Sequence, residues 1–214
     1  MKREIGNKDF PIWLLGDSEP ENWRQVLDAP FDSRHPVRHS IWTPILEIIQ
    51  DSVFRKISNR IDTSSIYIRN AIGNPSEKPN PNSIDWNQSV KDETVTFKKL
   101  IDQNNPKIIL CFGAFSYEFA RRAFNEQPNR KYSYWTSIEL GNEFRSRIEH
   151  FNFKATNTIS LLHNVISGGK FLKAHKNFCG HEGGNYFNYA GTEIAEKILE
   201  YDDRLQIWIN PIHE

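Results

Sequence analysis

Cysteine is scarce in this chain: Cys111 and Cys179 are the only two among 214 residues, and they lie far apart. That is too few for a disulfide framework or a cysteine-ligated iron–sulfur cluster, and both suit a reducing compartment as thiols. Long apolar runs are missing too. No segment approaches the ~18 apolar residues of a membrane span, and Met1-Lys2-Arg3-Glu4 has no apolar stretch behind it. The expectation is a cytoplasmic protein with no membrane partner. An excess of either charge is also lacking, with 27 Lys+Arg against 27 Asp+Glu. No global positive field therefore holds a polyanion, and any nucleic-acid site must be a local basic groove. Stretches that could line one are Arg34-His35-Pro36-Val37-Arg38-His39, Arg121-Arg122 with Arg130-Lys131, and Lys170 to Lys176 with Phe171 and His175 interleaved. Each stretch alone reads first as solvated surface charge.

Several motifs are absent. After the first apolar run, Gly16-Asp17-Ser18-Glu19-Pro20 supplies one glycine where a dinucleotide fingerprint needs three, which disfavours nicotinamide or flavin chemistry. There is no P-loop and no Gly-x-Ser-x-Gly elbow. His175, Cys179, His181 and Glu182 have metal-compatible spacings but no paired set elsewhere, so they read as ordinary loop residues. No metal and no organic cofactor is expected.

What is present is a series of short apolar runs, each ending on a polar or glycine-marked turn: Ile12 to Leu15 on Gly16-Asp17, Ile66 to Ile68 on Arg69-Asn70, Ile108 to Phe112 on Gly113, Ile159 to Leu162 on His163. Between them, Thr43-Pro44 reads as a cap and first helical residue, and Ile45, Ile48, Ile49, Val53 and Ile57 carry a helix over about 44–56. Three prolines make 73–81 an exposed loop. A second helix runs from Ile84 to Ile101. The third strand is the most apolar and is expected at the centre. Gly113-Ala114 then turns sharply, Ser116 can cap, and 117–124 is a short helix. Further strands are expected around 144–151 and 158–162, a last helix over 192–201, and an edge strand over 205–209. A chain of this length buries roughly 70% of its unfolded surface around one core, so 1–214 is read as one domain. The alternation describes a three-layer α/β/α fold around a central, mainly parallel four-stranded sheet, with the strands' carboxyl ends facing one crevice.

The residues at those strand ends resemble a family. Ile66-Tyr67-Ile68-Arg69-Asn70-Ala71-Ile72, followed by Asn74-Pro75 and Asn80-Pro81, resembles the second motif of the uracil-DNA glycosylase superfamily. Leu15-Gly16-Asp17-Ser18-Glu19-Pro20 resembles its first motif. Pro106 to Ala114 resembles its central strand, and Leu161-Leu162-His163 resembles the strand carrying its last motif. Two departures stand out: Glu19 is an extra residue before the proline, and Asn164 to Gly169 follows His163 where the family usually has Pro-Ser.

The resemblance implies hydrolysis of the N-glycosidic bond of a flipped base in DNA, leaving an abasic site; a monomer with DNA as its partner is expected. A carboxylate, Asp17 or Glu19, would orient water and balance the sugar's positive charge, while a neutral His163 donates to the departing base. Beside Gly16, Asn70 offers donor and acceptor to the base edge. Phe31 or Phe115, or Trp42, supplies a stacking surface, and Arg38, Lys170, Lys173 and His175 are the expected DNA contacts. Each residue has a plainer reading. Asp17 could cap a turn, Glu19 could be solvated, Asn70 could close its turn, His163 could sit satisfied in the core, and the aromatics could be core, Trp42 above all. The departures suggest a pocket relaxed around the pyrimidine 5-position. The expected substrate is therefore a hypermodified pyrimidine, such as the glucosylated hydroxymethylcytosine of phage DNA, removed as antiviral defence. Competing expectations are uracil excision in repair, a non-catalytic nucleic-acid-binding module, and an N-glycosidase acting on free nucleosides.

Overall fold

The computed structural model describes residues 4–18, 41–163, 169–180 and 184–209, with the side chains of Gly169 and Lys170 left aside. Within these the elements run β1 (Glu4–Ile5), β2 (Ile12–Ser18), α1 (Thr43–Ile57), β3 (Tyr67–Ile72), α2 (Gln88–Asn104), β4 (Ile108–Phe112), α3 (Ala114–Ala123), α4 (Ser137–Glu149), β5 (Asn157–Leu161), α5 (Gly169–Cys179) and α6 (Tyr186–Glu200). The five strands form one sheet of order β1-β3-β2-β4-β5, all parallel except β1, which pairs antiparallel with β3.

Helices cover both faces, which is why β3 and β4 are buried along their whole length. Ile12 and Leu110 share a small cavity with Leu46 and Ile49 of α1 and Ile194 and Ile198 of α6. Trp13 points the other way, and its ring lies 6.3 Å from that of Phe97 on α2. α4 packs against β5 and α5.

The order of the sheet places the site. From β2 the chain crosses to β3 on one side, and from β3 it returns to β4 on the other side of β2. Open parallel sheets bind ligands at such a reversal, in the crevice outside the carboxyl ends of the two flanking strands. Those ends are Asp17-Ser18 and Phe112-Gly113.

Several expectations need correction. The sheet has five strands because Glu4 and Ile5 add an edge, and its middle position belongs to β2, with β4 beside it. Residues 144–149 lie in α4, where Leu140, Phe144 and Ile148 recur at helical spacing behind a Thr136 cap that accepts from Glu139 N at 3.3 Å. The 205–209 segment contributes one bridge, Trp208 with Ile61, and no strand. Trp42, with no capping side-chain bond, stands at the start of α1, and Gly113, not Ser116, occupies the cap position of α3. α6 begins at Tyr186, capped by Asn185, and α5 was not expected at all.

Candidate active site

Strand alternation puts Asp17 on the face opposite to Gly16. There its Oδ2 accepts from Lys78 Nζ at 2.6 Å, and its Oδ1 is buried with no hydrogen-bond partner among the described residues. Lys78 follows the short 3₁₀ turn Pro75–Glu77, and its ammonium lies 5.2 Å from the centre of the Phe115 ring and 5.4 Å from that of Tyr132. The bonds that tie down the loop holding Lys78 include Tyr132 OH donating to Pro79 O at 3.1 Å and Ser133 N donating to Pro81 O at 3.1 Å.

His163 is fixed from its own strand end. Leu162 N donates to Tyr186 OH at 2.9 Å, and Gly113 N donates to Leu161 O at 2.8 Å. Gly113 has φ +96°, and a Cβ there would come within 2.6 Å of His163 Cβ. Burial pushes the His163 imidazole below its ordinary 6.5; the Asp17 carboxylate opposes this, and Lys78 reinforces it. The ring is therefore neutral at pH 7. Gly113→Ala should strain the backbone and displace His163, lowering stability by at least about 1 kcal/mol, or roughly 2–4 °C in melting temperature, together with any His163-dependent activity. A thermal melt and a rate measurement on the same preparation check this.

Asp17, Lys78 and His163 open into a cavity of about 360 Å³ whose wall includes Phe115, Tyr132 and Trp135. A larger groove of about 680 Å³ lies between α1 and the β1 edge, lined by residues such as Ile5, Leu46, Phe54 and Ile66. It lies away from the strands' carboxyl ends and holds no imidazole among the described residues, so the smaller cavity is the better place for chemistry.

The other expected site residues divide. Gly16 belongs to the rim for a packing reason: a Cβ there would come within 2.4 Å of Asn70 Oδ1 and 3.0 Å of the Trp42 ring. Asn70 thus lies against Gly16, two residues before β3 ends, buried and outside the lining of the cavity. Trp42 stacks on Phe112, ring centres 5.4 Å apart, as a core residue. Phe115 forms part of the cavity wall and is itself buried against Trp86 and Phe119. Glu19, Phe31, Arg38, His181 and Glu182 lie outside the described residues, as does the side chain of Lys170. Among the described residues no three His, Cys, Asp or Glu side chains cluster as a metal site.

Two basic stretches change meaning. Lys173 is exposed on α5, whereas His175 is 5% exposed and packed against Phe171, Tyr186 and Phe187. Arg121 and Arg122 are turned inward onto Glu118, which is fully buried. That carboxylate also accepts from Arg130 N and Trp135 Nε1, each at 2.8 Å, which holds the cavity wall in place.

His175 should make the fold acid-sensitive. Burial lowers its pKa from 6.5 to about 4, and Nε2 has no hydrogen-bond partner among the described residues. As pH falls below 6.5 the unfolded chain takes this proton first, so stability should drop between pH 6.5 and about 4 and level off below, by about 1–3 kcal/mol from this group. Denaturant titrations of the wild type and of His175→Phe across that window should differ in slope, the variant being flatter.

Lys78, Tyr132 and Trp135 were not expected at the site. The available signal was Lys78 itself, a lone cation in the proline-rich loop that leaves β3. Among the described residues no helix is long and apolar enough to cross a membrane. Compared with known proteins, the chain matches no protein-family model and no curated protein.

Proposed function

We propose that this protein is a DNA base glycosylase that hydrolyses the bond between C1′ of deoxyribose and a flipped pyrimidine, leaving an abasic site. The observation that carries the reading is the unpartnered, buried Oδ1 of Asp17 in a cavity shared with a neutral imidazole. A buried carboxylate oxygen without a donor costs about 1–3 kcal/mol or more, a cost that makes sense where a substrate water supplies the donor. As the bond breaks, the sugar becomes cationic and the base anionic. Asp17 orients the water and balances the sugar's charge, and His163 donates to the base. Phe115 and Tyr132, whose rings meet edge to face 5.3 Å apart, form the aromatic wall against which a base rests. Beside the cavity-lining Ala174, α5 exposes Lys173 and Lys176, which suit a phosphate backbone.

The substrate proposed is a hypermodified pyrimidine such as glucosylated hydroxymethylcytosine in phage DNA, removed as antiviral defence by a monomeric cytoplasmic enzyme. Support comes from the residues after His163, which depart from the Pro-Ser usual in the uracil-DNA glycosylase superfamily. The test is to incubate the protein with DNAs of varied modification and identify the base released by chromatography. Release of the modified base supports the reading. Uracil release alone assigns ordinary repair, cleavage of free nucleosides assigns an N-glycosidase, and binding without release assigns a non-catalytic module.

A further inference from the structure

We infer that Lys78 is a further catalytic residue, its ammonium stabilising the negative charge of the departing base. The inference rests on the glycosylase reading and deepens it. In that reaction the C1′–N bond breaks with its electron pair going to the base; a water oxygen then bonds to C1′, and its proton leaves to solvent. The transition state is therefore a dipole, positive at the sugar and negative at the base.

Three observations set Lys78 against the negative end. It lines the same cavity as Asp17 and His163, its Nζ 2.6 Å from Asp17 Oδ2. The same ammonium lies within 5.2 and 5.4 Å of the Phe115 and Tyr132 ring centres, so a base resting on that wall meets it directly. The loop carrying it is pinned through Pro79 and Pro81 to the 3₁₀ turn that holds Tyr132, so little reorganisation is needed when charge develops. An ion pair whose members are 29% and 19% exposed contributes little to stability. Its value lies in charge placement: Asp17 and Lys78 form a dipole that can pair head-to-tail with that of the reaction, stabilising the transition state more than the ground state.

The test uses the full chain, a DNA from which the wild type releases a base, and single-turnover rates. Lys78→Cys should lower the rate about 10²–10³-fold, whereas Lys78→Arg, which keeps the charge, should stay within about tenfold. Cys111 and Cys179 are both buried, so the introduced thiol is the one open to alkylation. Treating the variant with 2-bromoethylamine rebuilds an ammonium and should restore the rate at least about tenfold; 2-bromoethanol, of similar size but neutral, should not. An unchanged rate in Lys78→Cys, equal rescue by both reagents, or a wild-type–DNA adduct trapped by borohydride that Lys78→Cys lacks would each overturn the proposal, the adduct because it makes Lys78 a nucleophile. These outcomes leave base release by the wild type intact. A wild type that releases no base from any DNA removes the glycosylase reading and this inference with it.

Discussion

Asp17→Asn is expected to lower the single-turnover rate of base release by about a hundredfold or more, and by more than Glu19→Gln does. Among the described residues Asp17 is the carboxylate that reaches the cavity, at the carboxyl end of β2 beside the reversal in strand order. The substitution keeps the shape of the side chain but removes the charge that pairs with Lys78 and that, in the proposed reaction, faces the sugar. Stability should change little, because the pair is partly exposed and such pairs contribute about 0–1 kcal/mol. Single-turnover rates of both variants, read beside their thermal melts, check the expectation. Equal, small losses for Asp17→Asn and Glu19→Gln would remove Asp17 from the reaction.

His163→Ala should cost about 10²–10³ in the same rate, roughly 2.7–4 kcal/mol, while DNA affinity stays nearly unchanged. The side chain reaches the cavity from the end of β5, and Gly113 leaves the space its Cβ occupies. Burial keeps the ring neutral near pH 7, so its part in the proposed reaction is that of a hydrogen-bond donor and not of a cation. The sign follows: any inflection of the rate from His163 lies below pH 6.5, and none is expected from it between 6.5 and 8. A variant that melts early yet keeps its rate would return His163 to a core role. A pH–rate profile joined to single-turnover measurement separates the two outcomes.

The strands were legible because a parallel sheet covered on both faces needs continuous apolar runs, and Ile108 to Phe112 is one. Their carboxyl ends were legible for the same reason, which brought Gly16, Asp17, Phe115 and His163 to one rim. Helix α4 was misread because Phe144 to Phe151 mixes aromatic and charged residues in a way that hides a 3.6-residue period until Leu140 is included. β1 has two residues, too few for any periodic signal, and is defined by its pairing with Ile68 and Arg69. His175 and the Arg121-Arg122 pair looked like surface charge because sequence shows a cation but not its partner. In the fold, Phe171, Tyr186 and Phe187 enclose the first, and Glu118 holds the second. Lys78 escaped notice for the converse reason: nothing local marks a loop lysine that meets Asp17 only through the crossing of β2 and β3.

The most direct test counts abasic sites formed by the wild type and by Asp17→Asn in three DNAs under one set of conditions: unmodified, uracil-containing, and phage DNA carrying glucosylated hydroxymethylcytosine. The account predicts abundant abasic sites in the phage DNA with wild type, few in unmodified DNA, and a loss of about a hundredfold or more with the variant. Abasic sites absent from all three DNAs, or formed equally by the two proteins, would contradict it.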